Sequence, residues 1–274
     1  MTLKRIVVLL LVLPAMLLSQ RIVTMAPALT EIVFELGKGH LIVGNTKFCD
    51  YPEEAKKIKR IGGLMDLNLE ILIDLKPDLV ILYPEQASKI EILKHKMKFL
   101  IVQHENLADL FDAIGKISRE LGVTEKGTGI VNGIKRTFAR VKQTSSQQPK
   151  VKVLMVAGRN PDSLSNLYII GKKDFLNEIL DIAGGVNAYA GDISYPNISI
   201  ESIVSMNPDV IIELSAYNQN IKDRDIIDVW QQYPIITAAK NNRIEIIRDP
   251  VWLRPGPRVG TVANVMARLL RPKK

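Results

Sequence analysis

The chain has 274 residues, 47% of them hydrophobic and 24% charged, which is enough apolar material for one large core or two modest ones and too much for a disordered chain. Its formal charge of +8 comes from lysines and arginines scattered through amphipathic segments, without the dense basic tracts interleaved with aromatics that nucleic-acid grooves use. The single cysteine, Cys49, excludes an internal disulfide and a thiolate-held cluster, and is read as a packed thiol.

Lys4 and Arg5 precede an unbroken apolar run over residues 6–18, and the polar Ser19-Gln20-Arg21 follows at once. That is the layout of a secretory signal peptide. The run covers only about 20 Å as a helix, short of the roughly 30 Å hydrocarbon core. We expect residues 1–19 to be removed, leaving an exported or periplasmic soluble protein. No cysteine stands directly after the run, so a lipid anchor is not expected.

Next, residues 21–25 read as a short strand, and Thr30 or its neighbours cap a helix that Gly37 stops. Residues 41–44 read as a strand, 68–75 as a helix ended by Lys76-Pro77-Asp78, and 79–83 and 99–102 as buried strands. Short apolar strands alternating with helices imply a mainly parallel sheet covered on both faces. Residues 106–121 form an amphipathic helix broken at Gly122, and a strongly charged helix follows over 124–142. At about 1.5 Å per residue this second helix spans nearly 30 Å, enough for a stiff connector.

The second half repeats the scheme, with strands at 151–156, 210–213 and 244–247 and helices at 174–183, 199–206 and 260–270. The repeat is visible residue by residue: Asn68, Glu70, Pro77 and Asp78 align with Ser199, Glu201, Pro208 and Asp209 at one constant offset of 131. The fold class expected is therefore α/β, two Rossmann-like lobes joined by a single long helix. The division is an N-terminal lobe over 20–123, a connecting helix over 124–147 and a C-terminal lobe over 148–274.

These residues resemble a known family, the helix-linked periplasmic substrate-binding proteins of ABC importers for vitamin B12, haem or iron siderophores. The landmarks are Arg21-Ile22-Val23-Thr24-Met25-Ala26-Pro27, Val43-Gly44, Asp50-Tyr51-Pro52, Ile61-Gly62-Gly63, both repeats ending in Pro-Asp, Gly184-Gly185-Val186-Asn187 and Arg254-Pro255-Gly256-Pro257-Arg258. The likeness is nearest to the vitamin-B12-binding members. It implies a cleft lined by aromatics, and the matching positions are Phe48, Leu64, Tyr168 and Tyr195, of which Leu64 lacks the expected ring. Pro250, Val251, Trp252, Leu253 and Arg254 match a further cleft loop, in which Trp252 offers a stacking face and Arg254 a forked donor. Tyr83 ends a strand at the expected cleft rim, where it suits a phenolate ligand in a haem reading. Glu70 and Glu201 open their helices, where a carboxylate complements the helix dipole. The resemblance implies that they also dock onto the two halves of a membrane permease dimer.

The function expected is capture and delivery of a corrinoid, with haem or a ferric siderophore as the alternative ligand. The protein is expected to be a monomer with no cofactor of its own, no catalytic or metal-ligating residues and no nucleic-acid partner. His40, His95 and His104 show no spacing that argues for a nucleophile site, and no Gly-rich phosphate loop appears.

Overall fold

A computed structural model describes residues 20–63, 66–217 and 220–271. The expected signal segment over 1–19 and Leu64 lie outside the described residues. Strand β1 (Ile22–Thr24) has no exposed side chain, so it has to lie inside a sheet with helices on both faces. Helix α1 (Pro27–Glu35) begins at Pro27, whose fixed φ suits a first helical position, rather than at Thr30. The Thr30 hydroxyl is instead engaged 2.7 Å from that of Thr24. Strands β2 (Ile42–Asn45) and β3 (Lys59–Arg60), helix α2 (Leu69–Asp74), strand β4 (Leu79–Leu82), helix α3 (Pro84–Ala87) and strand β5 (Lys98–Ile101) complete the first lobe. Its five strands run parallel in the order β3-β2-β1-β4-β5.

Helix α4 (Leu107–Glu120) is capped by Asn106, whose side chain accepts from the Asp109 amide at 2.9 Å. It buries Leu107, Leu110, Ala113, Ile114 and Ile117, the spacing of a single apolar face. Gly122, at φ +66°, turns the chain into α5 (Thr124–Ser145). A Cβ on Gly127 would meet the Ser118 hydroxyl at 2.3 Å, so this glycine lets α4 and α5 approach closely.

The second lobe follows as β6 (Val151–Gly158), β7 (Leu167–Ile169), α6 (Phe175–Ile182), β8 (Gly185–Asn187), β9 (Asn197–Ile198), α7 (Ile200–Met206), β10 (Val210–Leu214), α8 (Asp223–Gln231), α9 (Thr237–Lys240), β11 (Ile244–Ile247) and α10 (Val259–Leu269). Its sheet runs β11-β10-β6-β7-β9, with β8 also paired to β6; the β6–β7 and β7–β9 pairs are antiparallel and the rest parallel. The architecture is thus the expected α/β arrangement of two mainly parallel sheets joined by a long helix.

The repeat extends to the hydrogen bonds. In the first lobe Arg21 donates from its backbone to Asp78 at 2.8 Å and from its side chain to the Leu75 carbonyl at 2.9 Å. In the second, Lys152 donates from its backbone to Asp209 at 2.9 Å and from its side chain to the Met206 carbonyl at 3.1 Å. Lys76 and Asn207, the residues before each Pro, share a φ of 42°. One apolar core cluster crosses the whole molecule, from Ile22 and Leu79 through Ile134, Phe138 and Val141 of α5 to Met155, Ile212 and Met266.

Candidate functional site

A cleft of about 540 Å³ lies between the lobes, inside the range of roughly 300 to 1,000 Å³ typical of ligand pockets. Its walls come from segments just beyond the carboxyl ends of parallel strands, where α/β sheets bind their ligands. The first lobe supplies Ala26 and Pro27 after β1, Thr46 and Phe48 after β2, Tyr83 to Gln86 after β4, and His104 and Glu105 after β5. The second supplies Asp174, Tyr195, Tyr217, Leu253 and Arg254.

The loop that carries Phe48 is held from below. Arg60 donates to the Asn45 side chain at 2.6 Å and to the Thr46 and Cys49 carbonyls, both at 2.9 Å. Cys49 is fully buried beneath it, with its thiol 3.1 Å from the Thr30 and Thr46 hydroxyls. Burial pushes the thiol upward, so it is a packed group rather than a nucleophile. The Phe48 ring meets Tyr217 across the cleft edge-on, with centroids 5.7 Å apart.

At the cleft floor four charged side chains from the two lobes interlock. Arg254 donates to both oxygens of Asp50, at 2.5 and 3.1 Å, and to the Phe48 carbonyl at 3.1 Å. Arg258 makes a two-pronged bond to Glu31 at 2.7 and 2.8 Å, and Glu31 lies 3.5 Å from Arg254. Burial alone would raise the Asp50 carboxyl, but the Arg254 bond and charge outweigh it and hold Asp50 below its usual range. Arg254 therefore spends its forked donor on the protein, a pairing with no local signature because Glu31 and Asp50 lie more than two hundred residues away from it.

On the other side of the cleft, Tyr195 donates its hydroxyl to Asp174, which also caps α6 by accepting from the Leu176 amide at 2.8 Å. Burial drives the Asp174 carboxyl upward against that bond, and burial together with Asp174 pushes the Tyr195 phenol upward. His104 places Nε2 3.1 Å from a Glu85 oxygen, and its ring lies 4.0 Å from that of Tyr83. Burial, with Glu85 next, pushes the Tyr83 phenol upward as well.

The structure brings Phe48, Tyr83, Tyr195, Leu253 and Arg254 together in the cleft. It places Trp252 elsewhere: this side chain is 2% exposed and belongs to the main core with Val251, because Asp249 caps a tight turn that folds both inward. Pro250 starts that turn, is half-buried and is likewise absent from the cleft wall, whereas Val251 and Trp252 pack in the core. Tyr168 is 48% exposed on β7 and does not line the cavity; its neighbours Leu167 and Ile169 point into the core, which turns Tyr168 to the opposite face. Glu70 and Glu201 are both exposed in the first turns of α2 and α7, and the Ser199 hydroxyl beside Glu201 holds its carboxyl down. Tyr217, His104, Glu85 and Asp174 were missed. The available signal was position, since Tyr217 and His104 each follow a parallel strand by three residues.

Among the described residues no helix is long and apolar enough to cross a membrane. Residues 22–251 match the family model described as periplasmic binding protein. An uncharacterised ABC transporter substrate-binding lipoprotein of Bacillus subtilis is 27% identical over 92% of this chain and 80% of its own length. A vitamin B12-binding protein of Vibrio cholerae is 26% identical over 88% of this chain and 85% of its own. The crystal structure of a possible iron-binding (periplasmic solute-binding) protein of Staphylococcus epidermidis superposes with a TM-score of 0.79 at 27% identity, covering 92% of this chain and 99% of that one. The chain belongs to the periplasmic binding protein family, whose members are substrate-binding proteins of transport systems and not enzymes.

Proposed function

We propose that this chain, exported and working as a monomer, captures a corrinoid in its inter-lobe cleft as cargo and presents it to the permease of an ABC importer. The observation that carries the corrinoid is the polarity of the cleft wall. Its forked cation is occupied by Asp50 and the Phe48 carbonyl, while Glu85, Glu105 and Asp174 line the cavity against Lys173 as the other basic chain. Such a wall favours a ligand fringed with amides and carrying positive charge at its metal. It disfavours the carboxylates of haem. The upward push on the Tyr83 phenol likewise opposes the phenolate that the haem reading asks of it. Phe48, Tyr195 and Tyr217 supply ring faces and edges for a conjugated macrocycle.

The experiment is titration of the purified protein with cyanocobalamin, cobinamide, haemin and a ferric hydroxamate, followed by calorimetry. Corrinoid binding at least tenfold tighter than haemin or the siderophore is expected. Tighter binding of haemin or the siderophore would overturn the reading. For delivery, Glu70 and Glu201 dock onto the permease, one from each lobe. Replacing both with Lys leaves corrinoid affinity unchanged and abolishes uptake in vesicles carrying the cognate importer, because attraction at two widely spaced points becomes repulsion. Normal uptake by the double variant would remove the docking role and leave helix-end electrostatics as the account of both residues.

A further inference from the structure

We propose that His104 is an axial ligand to the metal of the captured macrocycle, bonding through Nδ1. The inference rests on the reading of the cargo as a metal-bearing macrocycle and adds a role for one residue. His104 lies just beyond β5 and lines the cleft, and its side chain is 35% exposed. Two contacts hold its ring. Nε2 is 3.1 Å from Glu85 Oε1, and the Tyr83 ring packs 4.0 Å away at a tilt of 39°. Tyr83 is itself fixed, since it is 8% exposed and its amide donates to Gln86 at 2.9 Å.

The carboxylate settles the tautomer. A neutral imidazole carries one N–H, and a carboxylate accepts it, so Nε2 donates to Glu85 and the lone pair stands on Nδ1. Among the described residues Nδ1 takes part in no hydrogen bond. A carboxylate behind one nitrogen and a free lone pair on the other is the arrangement by which proteins orient an imidazole toward a metal. A bare ion needs several ligands, and no cluster of three or more His, Cys, Asp or Glu suited to hold one occurs among the described residues. A single imidazole suits a different case: a metal whose equatorial positions are already filled by a macrocycle and whose axial position exchanges. The step is a ligand exchange. The Nδ1 lone pair enters, one coordinated water leaves, and the oxidation state of the metal does not change.

The probe is diaquacobinamide, a corrinoid with water at both axial positions, and the readout is its absorbance in complex with the protein, with haemin as a parallel arm. The wild-type complex should show the band shift of a mono-imidazole adduct. His104→Ala and His104→Gln, checked for folding by circular dichroism, should bind the probe with the unshifted aqua spectrum, and added imidazole should restore the shift to His104→Ala. Glu85→Gln, which weakens the orienting partner, should lose about tenfold in affinity while keeping a shifted spectrum. A wild-type complex that retains the aqua spectrum, or a His104→Ala complex with the wild-type spectrum, would overturn the assignment while leaving macrocycle capture intact. Failure of the wild type to bind either probe would overturn both. A shift seen with haemin and not with the corrinoid keeps His104 as the ligand and moves the cargo to iron.

Discussion

Glu31 is the residue whose neutralisation should reveal most about how the lobes are held. Its side chain is 2% exposed, and it accepts two bonds from Arg258, which reaches it across the lobe boundary and is 25% exposed. Breaking a buried ion pair from one side costs about 3 to 5 kcal/mol, because a charge is left without its partner. Two features place Glu31→Gln at the low end of that range. Arg254 retains both bonds to Asp50, and Arg258 can recruit water through its exposed portion. A loss of about 3 kcal/mol, at about 2 to 4 °C per kcal/mol for a chain of this size, lowers Tm by about 6 to 12 °C. Calorimetry and urea titration measure it, with the exposed Glu54→Gln as control. A double replacement, Glu31→Leu with Arg258→Met, should recover most of the loss, since apolar groups of similar volume often replace a buried pair at little cost. A Glu31→Gln variant as stable as the Glu54→Gln control would refute this account of the clamp.

Trp252→Ala should lower stability by about 3 to 5 kcal/mol, the cost of emptying a core site, and leave corrinoid affinity within about twofold once the protein is folded; a selective loss of affinity would return this ring to the cleft. Asp174 should give the chain a pH signature. Its carboxyl is raised from 3.8, so the folded state binds the proton more tightly and stability falls as pH rises above about 4, levelling off past the folded value. Asp174→Asn has no such titration, so its advantage in denaturation midpoint should widen over that interval, and an advantage that shrinks instead would reverse the sign of the argument.

The elements that could be read from sequence were those with a local signature. The apolar runs of β4 and β10 are each preceded by a Pro-Asp turn whose Asp78 or Asp209 accepts from the backbone of Arg21 or Lys152, and the matching helices are capped by Asn68 and Ser199, so each repeat carries its own start and stop. The long α5 was legible from its uninterrupted charge pattern. What escaped had no local signal. The antiparallel β7 and β9 are three and two residues long, and their pairing is set by what lies across the sheet rather than by periodicity. Helix α8 has an apolar face of Ile226 and Trp230 within a strongly acidic run, which hides its period. The cleft divides the same way. Phe48 and Tyr195 could be anticipated from the resemblance and Tyr83 from its place at the end of a strand, but the turn at Asp249 that buries Trp252, and the pairing of Arg254 with Asp50, have no such signal.

Helix α5 packs against α4 on one side and against α6 and α10 on the other, and its Ile134, Phe138 and Val141 belong to the same apolar cluster as both sheets. A connector built this way does more than separate two halves. Because its buried face is shared, neither half can close its hydrophobic surface without the other, and the free energy of folding does not divide into independent parts. The chain should therefore melt as one cooperative unit, with calorimetric and van't Hoff enthalpies that agree. A change that loosens one sheet should be felt in the other through the shared face of α5.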